Sequence, residues 1–166
     1  RKKYSDTLVT IIVDSVAGLS TESEMIGDYS KEGYATDKAI LLSKGLRKIT
    51  RPIARQKIAL IFTNQLRMKM NAQPFADPYT TSGGKGIQFH ASVRVRLSKA
   101  KKITSGEKGK QITTGLIARA KIIKNRVGPP ERICEFDIMF DRGIDDYGSW
   151  INVMKAYDIG KKRGSY

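Results

Sequence analysis

KIALIFTNQ (57–65), LRMKMNAQPFADPYTTSGGKGIQ (66–88) and FHASVRVRL (89–97) decide how this chain is read. The first segment opens as an apolar strand, Ile58 to Thr63, and stops at the polar pair Asn64-Gln65. The third resumes strand character over Ser92 to Leu97, where a period of two sets Arg94 and Arg96 on one face. Between them lie roughly twenty residues without an apolar period, a length that marks either a working loop or a disordered one. The content favours work. Arg67, Lys69 and Lys85 supply charge, Thr80, Thr81 and Ser82 supply hydroxyls, and Gly83-Gly84 is expected to bare a backbone. Met68, Met70 and Phe75 add apolar side chains suited to packing on bases, so the mixture fits a grip on a phosphate backbone that also touches base faces.

Working outward, Thr7 to Ser15 (TLVTIIVDS) is a β-branched run expected to be a central parallel strand buried on both faces. It ends in Asp14, at the strand end where α/β sheets bind ligands. An acid there is placed to hold a magnesium ion, although strands also end at Asp for turn reasons. Ser20 to Ala35 is polar, lacks a clear period and reads as a mobile loop. A helix is predicted from an N-cap at Thr36, with Asp37 in its first turn and Pro52 near its end. Ala39, Leu42, Leu46 and Ile49 form its buried stripe, and Ser43 and Arg47 share another face with Lys44, Lys48 and Arg51. That basic face reads equally as solvated surface.

Phe89 is expected to be half-buried at a strand start, beside His90, the only histidine. Ser98 to Lys110 reads as a long basic hairpin loop, and Gly106 to Lys110 lacks the P-loop spacing. Ile112 to Lys124 reads as a strand with Arg119 and Lys121 to one side and Ala118, Ala120 and Ile122 to the other. Gly128-Pro129-Pro130 stops it, Ile133 to Phe140 alternates again, and Trp150, Val153 and Met154 are expected to be core residues.

Composition narrows the class. Hydrophobic residues at 40% and charged residues at 28% describe a folded domain, and 166 residues suffice for one core. No apolar run approaches the ~20 residues that span a bilayer, and Arg1 to Asp6 does not open a secretory signal. Cys134, the one cysteine, excludes an internal disulfide, is expected to be buried in a strand, and fits a reducing, cytoplasmic compartment. A formal charge of +15, from 31 Lys and Arg against 16 Asp and Glu, points to a polyanionic partner, most economically nucleic acid and not a membrane.

Asn64-Gln65-Leu66-Arg67-Met68-Lys69, then Thr80-Thr81-Ser82-Gly83-Gly84, then Phe89-His90-Ala91-Ser92-Val93-Arg94, in that order and spacing, closely resembles the second DNA-binding loop of the RecA family of homologous-recombination strand-exchange ATPases. The likeness runs over most of the chain but only the later part of the family's core. It implies an α/β fold, part of a RecA-type P-loop NTPase core with a central twisted mixed sheet flanked by helices, in one domain over 1–166. DSVAGL (14–19) looks like the family's Walker B segment, which makes Asp14 the magnesium-holding acid. The resemblance makes Gln65 the sensor of the ATP γ-phosphate. It makes Ser43, Arg47 and the segment Arg67 to Met70 with Thr80 to Lys85 the contacts to single-stranded DNA. Arg119 and Lys121, with Lys99, match the secondary site used for duplex or displaced strand. Lys124 and Arg126 match cations that reach a neighbouring protomer's ATP, and Phe89 the aromatic packed into the next protomer of a filament. The first DNA-binding loop of the family falls at Ser20 to Ala35, where only Ile26-Gly27-Asp28 matches.

ATP and Mg2+ are therefore the implied cofactors, and single-stranded DNA, double-stranded DNA and copies of the same chain in a filament the implied partners. The sequence contains no Walker A pattern, so the chain is expected to be a fragment, a cleaved or split chain, or one whose N-terminal half is unresolved or encoded as a separate segment, and to be inactive alone. The rival reading is a non-catalytic DNA-binding or filament-regulating domain built on this half-fold.

Overall fold

The computed structural model describes residues 7–27, 33–70 and 73–160. The start of the chain and part of the polar segment between 20 and 35 lie outside them. The chain divides into two compact units, Arg1–Ala91 and Ser92–Tyr166.

In the first unit, β1 (Val9–Val13) pairs in parallel with β2 (Ile58–Phe62), Val9 opposite Ile58 and Val13 opposite Phe62. Parallel neighbours require a crossover. Here it consists of a 3-10 turn (Val16–Gly18), α1 (Glu22–Ile26) and α2 (Tyr34–Arg55). The segment read as a loop thus contains a short helix. Thr21 accepts from the Glu24 amide and Glu24 reaches back to the Thr21 amide, a capping box legible as Thr21-x-x-Glu24. The expected N-cap, Thr36, lies inside α2; the cap is Gly33 at φ 111°. Pro52 also lies inside α2, and Gln56 N–H donates to its carbonyl at 3.0 Å. A proline removes one donor and disturbs the turn before it, which a single further turn tolerates. Leu46 is the buried residue of the expected stripe, while Ile49 is exposed.

Burial on both faces of β1 is corrected. Ile11, Ile12 and Ile61 are exposed, because among the described residues the parallel sheet has two strands, with α2 packed against β2.

The segment after Gln65 is not irregular throughout. Leu66–Met68 (β3) and Tyr79–Thr81 (β4) form an antiparallel ribbon with Leu66 opposite Thr81, Arg67 opposite Thr80 and Met68 opposite Tyr79. α3 (Gly84–His90) follows, so Phe89 and His90 are helical, not at a strand start, and Phe89 is exposed.

The second unit is an antiparallel sheet in the order β5 (Val93–Ser105), β6 (Ile112–Asn125), β7 (Ile133–Met139) and β8 (Gly143–Asp145), closed by α4 (Asp146–Ala156). The hairpin loop expected from Ser98 is much shorter, since β5 runs on to Ser105. Register shifts between Lys99 and Lys101 and between Ile103 and Thr104 break the period of two and hide the strand. Asp145 caps α4 by accepting from Gly148 N–H at 3.1 Å. Trp150 and Met154, expected in the core, are exposed, because α4 packs one side on β7. Cys134 is likewise exposed rather than buried. The chain is α/β as expected, with its strands distributed over one parallel and two antiparallel sheets.

Candidate nucleotide and nucleic-acid site

At the carboxyl ends of β1 and β2 the ladder continues one step past the strands. Thr63 N–H donates to Val13 O and Val16 N–H donates to Thr63 O, each at 3.0 Å. This sets Thr63 beside Asp14, and the Thr63 hydroxyl donates to Asp14 Oδ1. A carboxylate with a hydroxyl donor and an exposed remainder is a one-acid site. Magnesium usually takes one or two protein carboxylates and completes its shell with water and substrate phosphates, so Asp14 fits that ion only together with a phosphate ligand. Among the described residues no group of three or more His, Cys, Asp or Glu stands ready to hold a metal. Lys38 of α2 steadies the following turn, its Nζ donating to Ala17 O at 3.0 Å.

Two residues on, the same strand end carries Gln65, exposed, its N–H donating to Asn64 Oδ1 at 2.9 Å. Asn64 Nδ2 donates in turn to Ser82 O at 2.8 Å. One asparagine therefore joins the strand end that bears Asp14 and Gln65 to the far leg of the ribbon. From sequence Asn64 is only the strand stop and a motif residue and Thr63 has no role; the signal is their position, directly after a strand whose partner ends in Asp14.

Along the ribbon, Arg67 and Thr80 project to one side and Leu66, Met68, Tyr79 and Thr81 to the other. Lys69 is fixed by its own backbone and side chain, N–H to Pro78 O at 2.8 Å and Nζ to Asp77 O at 2.9 Å. Met68, Met70 and Phe75 stand out into solvent, Met68 at 72% and Met70 at 99% exposure, which leaves most of their apolar surface available. Gln88 of α3 donates to the Thr81 hydroxyl at 3.3 Å, a second brace.

Gly83 and Gly84 do not bare a backbone as expected. Gly83 is buried as the left-handed cap of α3 (φ 84°), and a Cβ there would meet Ile87, Leu42 and Val16 side chains at 2.6–3.0 Å. Gly84 (φ 72°) would meet Ala39 Cβ at 2.7 Å, and Gly86 would meet Ser43 Cβ at 2.8 Å. These glycines let α3 pack close against α2. Ser43 consequently lies against α3, and Arg47, one turn further along α2, is exposed. Lys85 is exposed in the first turn of α3.

In the second unit, Arg94 lies opposite Lys124, Arg96 opposite Lys121 and Ser98 opposite Arg119. Directly opposed residues share a face, so these cations line one side of the sheet. Lys99 pairs with Ala118 and belongs to the other face, so the register separates it from Arg119 and Lys121. Glu135, opposite Arg119, accepts from its Nε at 2.7 Å, and Glu131 lies 3.6 Å from Lys121 Nζ. Partial burial, then the Arg126 and Arg94 charges, holds the Lys124 ammonium below the ordinary lysine value. Arg126 N–H donates to Ser92 O at 3.0 Å, while Asn125 braces the next turn through Val127 N–H at 3.1 Å and Pro129 O at 3.2 Å.

Parallel strands joined by a helical crossover, with an acid, a hydroxyl and amides gathered at their carboxyl ends, are the arrangement at which α/β sheets commonly bind ligands, and here it leads into a basic ribbon. The chain belongs to the RecA family: the RecA N-terminal domain model matches residues 3–145. Protein RecA of Herpetosiphon aurantiacus is 40% identical over 162 residues, 98% of this chain and 44% of that protein. Protein RecA of Sulfurimonas denitrificans is 39% identical over 162 residues, 98% of this chain and 46% of the relative. Protein RecA of Bacteroides thetaiotaomicron is 38% identical over 162 residues, 98% of this chain and 47% of the relative. The chain thus spans somewhat under half the length of these curated relatives. No helix among the described residues is long and apolar enough to cross a membrane.

Proposed function

We propose that this chain is the DNA-gripping part of an ATP-dependent recombinase that binds single-stranded DNA, assembles into a filament and promotes homologous pairing and strand exchange. The observation that carries the reading is the Asn64 bridge, which ties the Asp14–Gln65 strand end to a ribbon bearing Arg67, Lys69 and exposed Met68, Met70 and Phe75. Cations hold phosphates, and exposed apolar and aromatic side chains offer faces to unpaired bases.

In this reading Asp14 would help hold the magnesium of a bound ATP, and Gln65 would donate to its terminal phosphate. Lys124 and Arg126 serve the nucleotide of a neighbouring protomer, where fixed cations offset the charge of the transferring phosphoryl group. Any shift of the β2 end passes through Asn64 into the ribbon, so nucleotide and single-stranded DNA favour the same arrangement and each raises the affinity for the other. Ser43, Arg47, Thr80, Thr81, Ser82 and Lys85 flank the ribbon on its own unit. Arg119 and Lys121 offer a second strand a separate cationic face.

Replacing Phe75 and Met70 together by alanine tests the grip. The expected loss is about 1–3 kcal/mol of single-strand affinity for each stacked base, with weak duplex binding unaffected. Equal losses for single strand and duplex would contradict base stacking at the ribbon.

A further inference from the structure

We infer that Glu135 and Glu131 compete with the polyanion for Arg119 and Lys121 and keep that face a weak binder from which a strand is readily released. The inference rests on the reading of this face as a second nucleic-acid site.

Both acids lie on the cationic side of the sheet. Glu135 is the direct cross-strand neighbour of Arg119, and two guanidinium nitrogens converge on its Oε1, Nη2 at 2.6 Å and Nε at 2.7 Å. Glu131 precedes β7 and has a fixed backbone, while its carboxylate is the looser of the two, 3.6 Å from Lys121 Nζ. Its N–H donates to Ile122 O at 3.0 Å, and Ile122 N–H donates to Arg132 O at 2.9 Å, which clamps this turn beside Lys121. Glu131 takes a left-handed φ of 65°, uncommon for a residue with a side chain and held here by those two bonds. In the row at Lys101, Ile117 and Asp137 the cation stands on β5 and the acid on β7 with an apolar residue between them, so the direct competition is confined to Arg119 and Lys121.

A phosphate approaching Arg119 or Lys121 must take the carboxylate's place. The pairs are well exposed, with side-chain accessibilities of 50% and 44% for Arg119 and Glu135 and 39% and 74% for Lys121 and Glu131. Exposed pairs of this kind shift an equilibrium by roughly two- to fivefold each. The acids hence weaken the site without closing it. Each displaced carboxylate also regains a counterion, which makes the salt dependence shallower than the number of cations alone would give.

The test is a double-mutant cycle on the full chain carrying Arg67→Gln/Lys69→Gln, which weakens the ribbon so that the second face is read, titrated with a fluorescent oligothymidylate at several salt concentrations. Glu135→Gln and Glu131→Gln are each expected to tighten binding about two- to fivefold and to steepen its salt dependence. Both gains are expected to vanish in the Arg119→Gln/Lys121→Gln background. If Arg119→Gln/Lys121→Gln weakens binding while the Glu→Gln variants change nothing, the inference is wrong and the site reading survives. A gain of the same size in both backgrounds reflects net charge alone and also overturns the inference. If Arg119→Gln/Lys121→Gln leaves affinity unchanged, the face is no nucleic-acid site and the premise falls with it.

Discussion

The Thr63 hydroxyl donates to Asp14 Oδ1, so the carboxyl ends of the two parallel strands are joined side chain to side chain as well as by backbone. Bonds to an ionised acceptor are stronger than neutral ones. Thr63→Val keeps the shape and deletes the donor. It is expected to cost no more than about 1 kcal/mol of folding stability, since the pair is exposed, and to weaken magnesium-dependent nucleotide binding in the assembled protein. Asp14→Asn keeps an acceptor oxygen for the Thr63 hydroxyl, and should abolish that binding while lowering Tm no more than Thr63→Val does. Calorimetric titration of nucleotide with and without Mg2+ separates the two effects.

The close approach of α3 to α2 sets a second expectation. Gly83→Ala imposes both a left-handed φ and contacts of 2.6–3.0 Å with three apolar side chains, so it is expected to destabilise by about 1–3 kcal/mol or more. Gly109→Ala has a similar φ of 98° and open space around it, and isolates the backbone cost alone. Urea midpoints should fall in the order Gly83→Ala well below Gly109→Ala. Equal midpoints would show that the α2–α3 contact carries little stability.

Much of this was legible in the sequence and part of it was not, for physical reasons. Val9 to Val13 and Ile58 to Phe62 announced strands because continuous β-branched and apolar runs bounded by Asp14 and Asn64 admit few other readings. The ribbon was missed because β3 and β4 have three residues each, too few to show a period. β5 was cut short because its bulges place Lys99, Lys101 and Lys102 off a strict alternation. Lys99 was grouped with Arg119 and Lys121 by resemblance, and only the pairing register assigns its face. Gly83 resembled an open loop glycine, yet its role depends on Leu42 and Val16, residues distant in sequence. Asn64 as the bridge to Ser82 was equally invisible, since hydrogen-bond partners 18 residues apart leave no local pattern.

Lys124 should respond to pH in a defined direction. Its ammonium is disfavoured in the folded chain by partial burial and by Arg126 and Arg94, and is held below the ordinary value of 10.5. The folded state is therefore penalised below the folded pKa, and the penalty is relieved as pH rises through it toward 10.5. Wild type is expected to gain stability relative to Lys124→Gln across that alkaline window. Arg126→Gln should shrink the gain. Tm against pH for the three proteins is the check, and parallel curves would argue against the cation cluster.

The 166-residue polypeptide by itself is expected to show no DNA-stimulated ATP hydrolysis, since its sequence carries the acid Asp14 but no Walker A pattern. Phosphate release assayed with and without single-stranded DNA decides this. Turnover above background would require phosphate-binding groups other than those assigned here.

Asn64→Ala cuts the link from the β2 end to Ser82 and leaves Arg67 and Lys69 in place. Single-strand affinity without nucleotide should change little, while the gain in affinity that nucleotide brings in the assembled protein should fall several-fold, within the range typical of coupling between sites. An undiminished gain would show that the bridge does not carry the coupling.

The most direct test of the ribbon as a single-strand grip is the salt dependence of oligothymidylate binding by the wild-type chain and by Arg67→Gln/Lys69→Gln. The account expects log affinity to fall linearly with log salt, at a slope of about −0.7 per neutralised phosphate, and expects the double variant to lose roughly one to two units of that slope. A flat wild-type response, or a slope unchanged by removing both ribbon cations, contradicts it.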